Sequence, residues 1–193
     1  MSRLRQWAAG PAGTVRLPLV WGFSEATLFF IVPDVAILLA ALTGWRNGLQ
    51  ACLWALLGAL VGGTLVYFFP GTFQPWHAGL PGISQGMLDQ VRDQVAAHGP
   101  WAMVNAPWEG IPYKLYAAEL GATHAGYPLF LLFSTVARLE RFLPVVLAGW
   151  LGFWLLRDPF ARRPRLYLAL FIVLWAVIYA AYFLAIRGRY GSL

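Results

Sequence analysis

The chain has 193 residues, of which 60% are hydrophobic and only 11% are charged, and its mean hydropathy is +0.62. This composition excludes an ordinary soluble domain and leaves room for one compact helical membrane domain. The net charge of +6 does not indicate nucleic-acid binding, because the arginines lie at the ends of apolar segments and within them. Membrane orientation and anionic lipid headgroups account for them better.

An N-terminal arm, residues 1–14, precedes an apolar stretch over residues 15–43 that carries Glu25 and is interrupted by Pro33 and Asp34. The helical arm that ends before Pro33 has about 15 residues, or ~22 Å, and is too short for a hydrocarbon core of ~30 Å. A charge at that depth costs roughly 3 kcal/mol or more. We therefore expect a re-entrant hairpin that breaks at Pro33 and lines a site. Asp34 either caps the second arm or contributes its charge to the site.

Two helices and a loop are predicted next. Residues 51–69 form a clean spanning helix in which Gly58 and Gly62 allow close helix packing. Residues 70–81 are rich in Gly, Pro and Trp, which predicts a loop. Apolar residues at helical spacing over 83–95, with charged residues opposite, predict an amphipathic helix on the membrane surface.

The second broken segment covers residues 101–122. Pro107, Gly110 and Pro112 interrupt this apolar region, which also carries Glu109 and Lys114. The same reasoning predicts a second re-entrant hairpin that breaks at these residues.

Two spanning helices complete the chain. Residues 127–156 are long enough to cross a bilayer tilted or slightly broken, and they carry Arg138 and Arg141 on one helix face. Residues 157–193 comprise a cytoplasmic loop and a final, uncharged span over 166–186. The predicted fold is thus an all-α membrane protein with two re-entrant broken-helix hairpins, about three spanning helices and one interfacial helix. The membrane domain covers 15–156, and its order of elements suggests an inverted repeat.

The arginines set the orientation. One set of short loops holds Arg3, Arg5, Arg16, Arg46, Arg157, Arg162, Arg163 and Arg165, and the opposite set holds Arg92, Arg187 and Arg189. The first set has eight arginines and the second has three, and this asymmetry predicts a cytoplasmic N-terminus in a multi-pass protein.

Buried charges must meet each other or line a wet cavity, since an unpaired one costs several kcal/mol. Arg138 and Arg141 therefore have two interpretations. They form structural ion pairs, or they face the two helix breaks as a phosphate-sized anion site, for which guanidinium groups are suited.

At this point the sequence resembles the DedA family, also called the SNARE-associated or VTT-domain family. The motifs that carry the resemblance, in chain order, are Ser24-Glu25 with Pro33-Asp34, the Gly-rich run 58–63 with Tyr67, Gly110-Ile111-Pro112-Tyr113-Lys114 with Gly121, and the helix 130–149 that contains Arg138 and Arg141. The resemblance covers about residues 15–155. The chain departs from it at Glu109, where many members carry arginine.

The resemblance implies a protein of the bacterial inner (plasma) membrane that flips a lipid, such as undecaprenyl phosphate or a phospholipid, with protons as the coupling ion. Carried over by position, Glu25 and Asp34 are the acidic, proton-coupling pair. Lys114, Arg138 and Arg141 are the basic residues that hold the headgroup.

A non-transporting membrane scaffold or envelope-homeostasis protein is the alternative. An enzyme is not expected, nor is any cofactor or metal, because His77, His98 and His124 show no ligand spacing and are expected in loops or at the interface. A homo-oligomer is left open.

Overall fold

The computed structural model describes residues 3–28, 31–80 and 82–190. The described ranges are almost entirely helical and contain no strand, so the all-α expectation is confirmed. The helices are α1 Arg3–Ala9, a π-helical turn Ala12–Arg16, α2 Leu17–Thr27, α3 Asp34–Ala41, α4 Trp45–Phe68, α5 Pro70–Ala78, α6 Gln85–His98, α7 Ala102–Glu109, α8 Tyr113–Ala122, α9 Tyr127–Arg162 and α10 Pro164–Tyr190.

Two helices in the described ranges are long and apolar enough to cross a membrane, Trp45–Phe68 and Leu166–Ala185. The two helices differ in burial. In the first helix, 56% of its apolar 18-residue stretch is buried by other parts of the protein, whereas in the second helix 0% of the corresponding stretch is buried. Apolar side chains of α10, such as Val173 and Val177, are more than half exposed. A helix that is apolar all round requires an apolar environment, and this supports a membrane location.

Both predicted helix interruptions are present. The first separates α2 from α3, and Pro33 immediately precedes α3. The second separates α7 from α8 at residues 110–112, where Gly110 has a left-handed φ of 75° and Pro112 is extended before α8. The expectation of a further break at Pro107 is wrong, because α7 continues through Pro107 to Glu109. The left-handed glycine, which has no Cβ to clash, ends α7 instead.

The first hairpin lies against α4 through glycine contacts. A methyl group at Gly58 would overlap the carbonyl oxygen of Leu19, and one at Gly22 would overlap that of Ala55. Further along α4, Gly62 faces the end of α2, whereas Gly48 near the start of α4 faces Ala41 at the end of α3. Thus α2 runs in the same direction as α4, and α3 returns towards the start of α4.

The second hairpin approaches the other end of α4. Tyr113 at the start of α8 lies against Gly63, and Gly121 near its end lies against the backbone of Tyr67. The α9 helix runs antiparallel to α4, since Phe130 near its start contacts Tyr67 near the end of α4, with ring centroids 4.7 Å apart, and Val146 further along lies against Gly48 near the start of α4. Because α4 contacts α2, α3, α8 and α9, it forms the centre of the fold.

Three sequence expectations need correction. Residues 70–81 contain the helix α5 instead of a continuous loop, and Pro70 is tolerated at its first position, where no helical N–H partner is needed. The α4 helix starts at Trp45, not at residue 51. The α9 helix continues without a break to Arg162, beyond the predicted end at residue 156.

The amphipathic segment does form a helix, α6. Ser84 accepts a hydrogen bond from the Met87 backbone N–H at 3.3 Å and caps its start. Its apolar residues Met87, Val91 and Val95 are buried in the core against other helices.

Candidate functional site

Each carboxylate of the first hairpin is paired with an arginine of α9. Arg138 Nη2 donates to Glu25 Oε2 at 2.6 Å, and the two side chains are 3% and 6% exposed. Arg141 Nε donates to Asp34 Oδ2 at 2.8 Å, and Arg141 Nη2 lies 2.8 Å from the same oxygen. The prediction that the buried charges meet each other is therefore confirmed.

The two pairs lie on either side of the first helix break. Glu25 lies in the last turn of α2 and Asp34 is the first residue of α3, while the three-residue spacing of Arg138 and Arg141 aims both at the break. The alternative that Asp34 caps α3 with its side chain is wrong, since Pro33 occupies the N-cap and no side-chain cap bond forms. The negative charge of Asp34 still lies favourably at a helix N-terminus.

Lys114 connects the second hairpin to the first. It is the second residue of α8 and is 1% exposed. Its Nζ donates to the backbone carbonyl oxygen of Glu25 at 3.4 Å. A flexible lysine directly after the second break thus reaches the acidic arm of the first hairpin.

Tyr113 and Ser134 were not proposed as site residues from the sequence, although Tyr113 contacts Arg138 and Ser134 bonds to Tyr113. The Arg138 guanidinium lies over the Tyr113 ring, with its carbon 4.1 Å from the ring centroid. The Tyr113 hydroxyl donates to Ser134 Oγ at 2.9 Å. The i, i+4 spacing of Ser134, Arg138 and Phe142 on α9 was the available signal, because it places all three on one face.

We call Glu25, Asp34, Lys114, Arg138 and Arg141 the charge cluster. It brings together all five charged residues that the sequence proposed as the site, from α2, α3, α8 and α9. Three cations and two carboxylates give these five side chains a formal charge of 3 − 2 = +1. Within the described residues, Asp34 Oδ1 and Arg138 Nε are buried without a hydrogen-bond partner.

The charge cluster is accessible on one side. Arg141 is 29% exposed, whereas Glu25, Arg138 and Lys114 are nearly fully buried. Guanidinium groups bind the oxygens of phosphate as well as those of carboxylates, and Arg141 is the most exposed guanidinium of the cluster. The arrangement can therefore bind an anion that enters past Arg141.

Two tyrosines of α10 were also missed, because the sequence marked this helix only as uncharged. The Val32 backbone N–H donates to the Tyr179 hydroxyl oxygen at 2.9 Å, and the Tyr182 hydroxyl donates to the Gly110 carbonyl oxygen at 2.9 Å. One tyrosine thus contacts each helix break.

Glu109 lies outside the charge cluster. Its Oε2 accepts hydrogen bonds from Gln90 Nε2 and Gln94 Nε2, each at 2.6 Å. These bonds tie α7 to α6, so the carboxylate that departs from the DedA pattern has a structural role in packing the amphipathic helix.

The histidines divide into two kinds. His98 and His124 are exposed, but His77, expected in a loop, lies buried in α5 beside a cavity of about 280 Å³ between α5, α6 and α8. Its Nε2 is 3.0 Å from the Thr27 carbonyl oxygen, and because a carbonyl can only accept, Nε2 carries the proton. Burial lowers the pKa of His77 to about 4. No group of metal-ligand side chains occurs in the part of the chain that the structure describes.

Comparison with known proteins finds a distant relative but does not show a family. An uncharacterized protein of Haemophilus influenzae is 25% identical over 164 residues, which are 82% of this chain and 81% of that protein. No family model matches the chain. No solved structure matches it either. The relative's name assigns no activity.

Proposed function

We propose that the chain is a multi-pass protein of the inner membrane in which both broken segments are re-entrant. The return of α3 to the start of α4 supports an entry of the first hairpin from one side. The contact between Gly121 and Tyr67, near the end of α4, supports an entry of the second hairpin from the other side. The spans in this proposal are α4, α9 and α10, and the arginine distribution orients the N-terminus to the cytoplasm.

The protein in this proposal moves a phosphorylated lipid across the bilayer, and it is a relative of the DedA family. The observation that carries the proposal is the buried charge cluster, in which two arginines of α9 face the first helix break. Arginine forks bind phosphate oxygens in two-point geometry, and Arg141 is the accessible member. Undecaprenyl phosphate and phospholipids both present the phosphate that this chemistry selects.

Exchange of partners supplies the transport step. A lipid phosphate that enters past Arg141 competes with Asp34 for the guanidinium, and then with Glu25 for Arg138. Protonation of a carboxylate neutralises it and releases its arginine to the phosphate, so that headgroup binding and proton uptake are linked. Release of the proton restores the charge of the carboxylate, so that its ion pair with arginine forms again and displaces the headgroup.

The test is headgroup accessibility in proteoliposomes, with purified protein and either undecaprenyl phosphate or a phospholipid, with and without a pH gradient. We expect protein-dependent movement of at least one phosphorylated lipid that responds to the gradient. Asp34→Asn is the variant that should remove the response, and Asp89→Asn, on the exposed face of α6, is its matched control. No movement of either lipid in either condition would overturn the proposal.

A membrane scaffold is the second candidate, and one observation favours it. Both arginines already have carboxylate partners, and the Arg138–Glu25 pair at 2.6 Å joins residues 113 positions apart, as a purely structural ion pair would. A scaffold would leave the lipid in the same leaflet in the assay above. It would also tolerate any substitution that preserves the pairs.

A further inference from the structure

The last helix contacts both helix breaks through two tyrosine hydroxyls. Tyr179 accepts from the Val32 N–H at 2.9 Å, and Tyr182 donates to the Gly110 carbonyl at 2.9 Å. The two tyrosines are three positions apart, so they lie on one face of α10. The same face therefore bonds to backbone groups of the first and second interruptions together.

These bonds satisfy groups that the helices leave unpaired. Val32 precedes Pro33 between α2 and α3, and Gly110 follows the last residue of α7. In an apolar environment an unsatisfied backbone group costs several kcal/mol, because no water can replace the lost partner. Each break thus depends on α10 for one backbone hydrogen bond.

Little else buries α10 in the protein. Its apolar window Leu166–Ala185 is 0% buried, and Tyr182 is packed at the edge of the core. Tyr179 bonds to Val32, two positions before Asp34, whose carboxylate pairs with Arg141. The helix therefore lies at the first break, next to the Asp34–Arg141 pair, and is attached there by a hydrogen bond.

We propose that Tyr179 and Tyr182 are positioning residues through which α10 restricts access to the charge cluster from the lipid phase. Arg141 is 29% exposed while both bonds are formed; separation of the two hydroxyls from the breaks would widen this opening enough to admit a lipid headgroup, and their return would narrow it again. The gating step rests on the proposed lipid transport. The attachment of the breaks to α10 does not.

The attachment is tested alone by hydrogen–deuterium exchange of the protein in lipid nanodiscs. Tyr179→Phe and Tyr182→Phe remove only the hydroxyl and keep the ring. We expect several-fold faster exchange at the Val32 amide in Tyr179→Phe and in the peptide containing residues 110–112 in Tyr182→Phe. Tyr167→Phe, about three turns earlier on α10, is the matched control. Unchanged exchange at both breaks would overturn the attachment.

The gate is tested by cross-linking. Cysteines at Val32 and Tyr179 in a Cys52→Ala background are joined by a short, cleavable bifunctional maleimide, and lipid movement is measured before and after cleavage. We expect movement to stop on cross-linking and to recover on cleavage, while the same reagent leaves the Cys52→Ala parent unchanged. If the cross-linked protein moves lipid at the parental rate, the gate is wrong although transport stands. If the parent moves no lipid, the proposed function fails and the exchange result still decides the attachment.

Discussion

Arg138 and Glu25, separated by 113 positions in the chain, form a buried ion pair with 2.6 Å between Nη2 and Oε2. The pair joins the central part of α9 to the last turn of α2. Because both charges are removed from water, either one alone would be strongly destabilising. The carboxylate and the arginine therefore depend on each other, whatever else the charge cluster binds.

Removal of one member of the Arg138–Glu25 pair should lower the unfolding free energy more than removal of both members. Glu25→Gln leaves Arg138 buried without a counter-charge, and we expect a loss of about 3–5 kcal/mol in unfolding free energy. Glu25→Gln combined with Arg138→Met removes both charges and should recover part of that loss. Chemical denaturation in detergent micelles measures the difference. Additive losses in the double variant would contradict the pairing.

The carboxylates should also determine the pH response of lipid movement. Glu25→Gln and Asp34→Asn keep hydrogen bonding but cannot titrate, so each should abolish the dependence on a pH gradient. Protein that is still folded, judged by gel filtration and circular dichroism, is required for the comparison. Full pH dependence in both variants would remove the carboxylates from proton coupling.

Lysine substitution separates headgroup binding from structure. Arg138→Lys and Arg141→Lys keep the positive charge but lose the planar fork, and we expect a loss of about 1–3 kcal/mol in binding of phosphorylated lipid. The effect should be clearest at Arg141, which is 29% exposed and pairs with Asp34 at the accessible side. Lipid-dependent thermal stabilisation measures it, with a neutral diacylglycerol as the control lipid. Equal stabilisation of variants and wild type by phosphorylated lipid would favour the scaffold.

The sequence predicted which residues belong to the charge cluster, but not which of them pair with each other. A carboxylate such as Glu25 in an apolar segment requires a counter-charge. Its pairing with distant basic residues could therefore be inferred from the free energy of burying a charge alone. Which arginine meets which carboxylate depends on the packing of α3 and α9, which no local pattern encodes. Tyr179 and Tyr182 were missed for the same reason, since a tyrosine on an apolar helix is ordinary until the backbone groups opposite it are known.

Errors in the helix boundaries have local causes. Pro107 was expected to break α7, yet the helix continues past it and ends at Gly110, whose positive φ a residue with a side chain rarely adopts. Pro70 suggested a loop but occupies the first position of α5, where proline is favoured. The sequence named Gly110 among the breaking residues, but it did not show that α7 continues through Pro107 to reach it.

Packing between α2 and α4 should tolerate no side chain at Gly58. A methyl group there would overlap the Leu19 carbonyl oxygen and force the two helices apart. We expect Gly58→Ala to lower the unfolding free energy by about 1–3 kcal/mol, although alanine is the better helix former. Gly71→Ala is the matched control, because nothing lies within 4 Å of the added methyl. Thermal unfolding of both variants in detergent gives the comparison, and equal midpoints would contradict the close contact.

The arginine-based orientation predicts the side from which surface positions can be labelled. Arg163, between α9 and α10, is exposed, and so is Trp101, between α6 and α7. In intact cells, Arg163→Cys should resist a membrane-impermeant maleimide and Trp101→Cys should react. Native Cys52, which is 1% exposed, provides the unreactive background. Reaction at residue 163 from outside would reverse the orientation.

Acid should destabilise the protein through His77, which lies in α5 beyond the end of the α4 span. Burial holds its pKa at about 4, against 6.5 for an exposed histidine. Between these values the unfolded chain takes up a proton that the folded protein excludes, so stability should fall as the pH decreases from about 6.5 to 4 and then change no further through this group.

The variant His77→Asn has no proton to gain, and its shorter side chain gives up the bond that His77 Nε2 makes to the Thr27 carbonyl oxygen. We expect its unfolding midpoint to be lower at neutral pH and to fall less steeply than that of the wild type over the same range. His98→Asn, at the exposed end of α6, is the control and should retain the wild-type slope. Unfolding midpoints measured in detergent at half-unit steps from pH 7.5 to pH 4 test this, and parallel curves for His77→Asn and the wild type would show that His77 is not the group responsible.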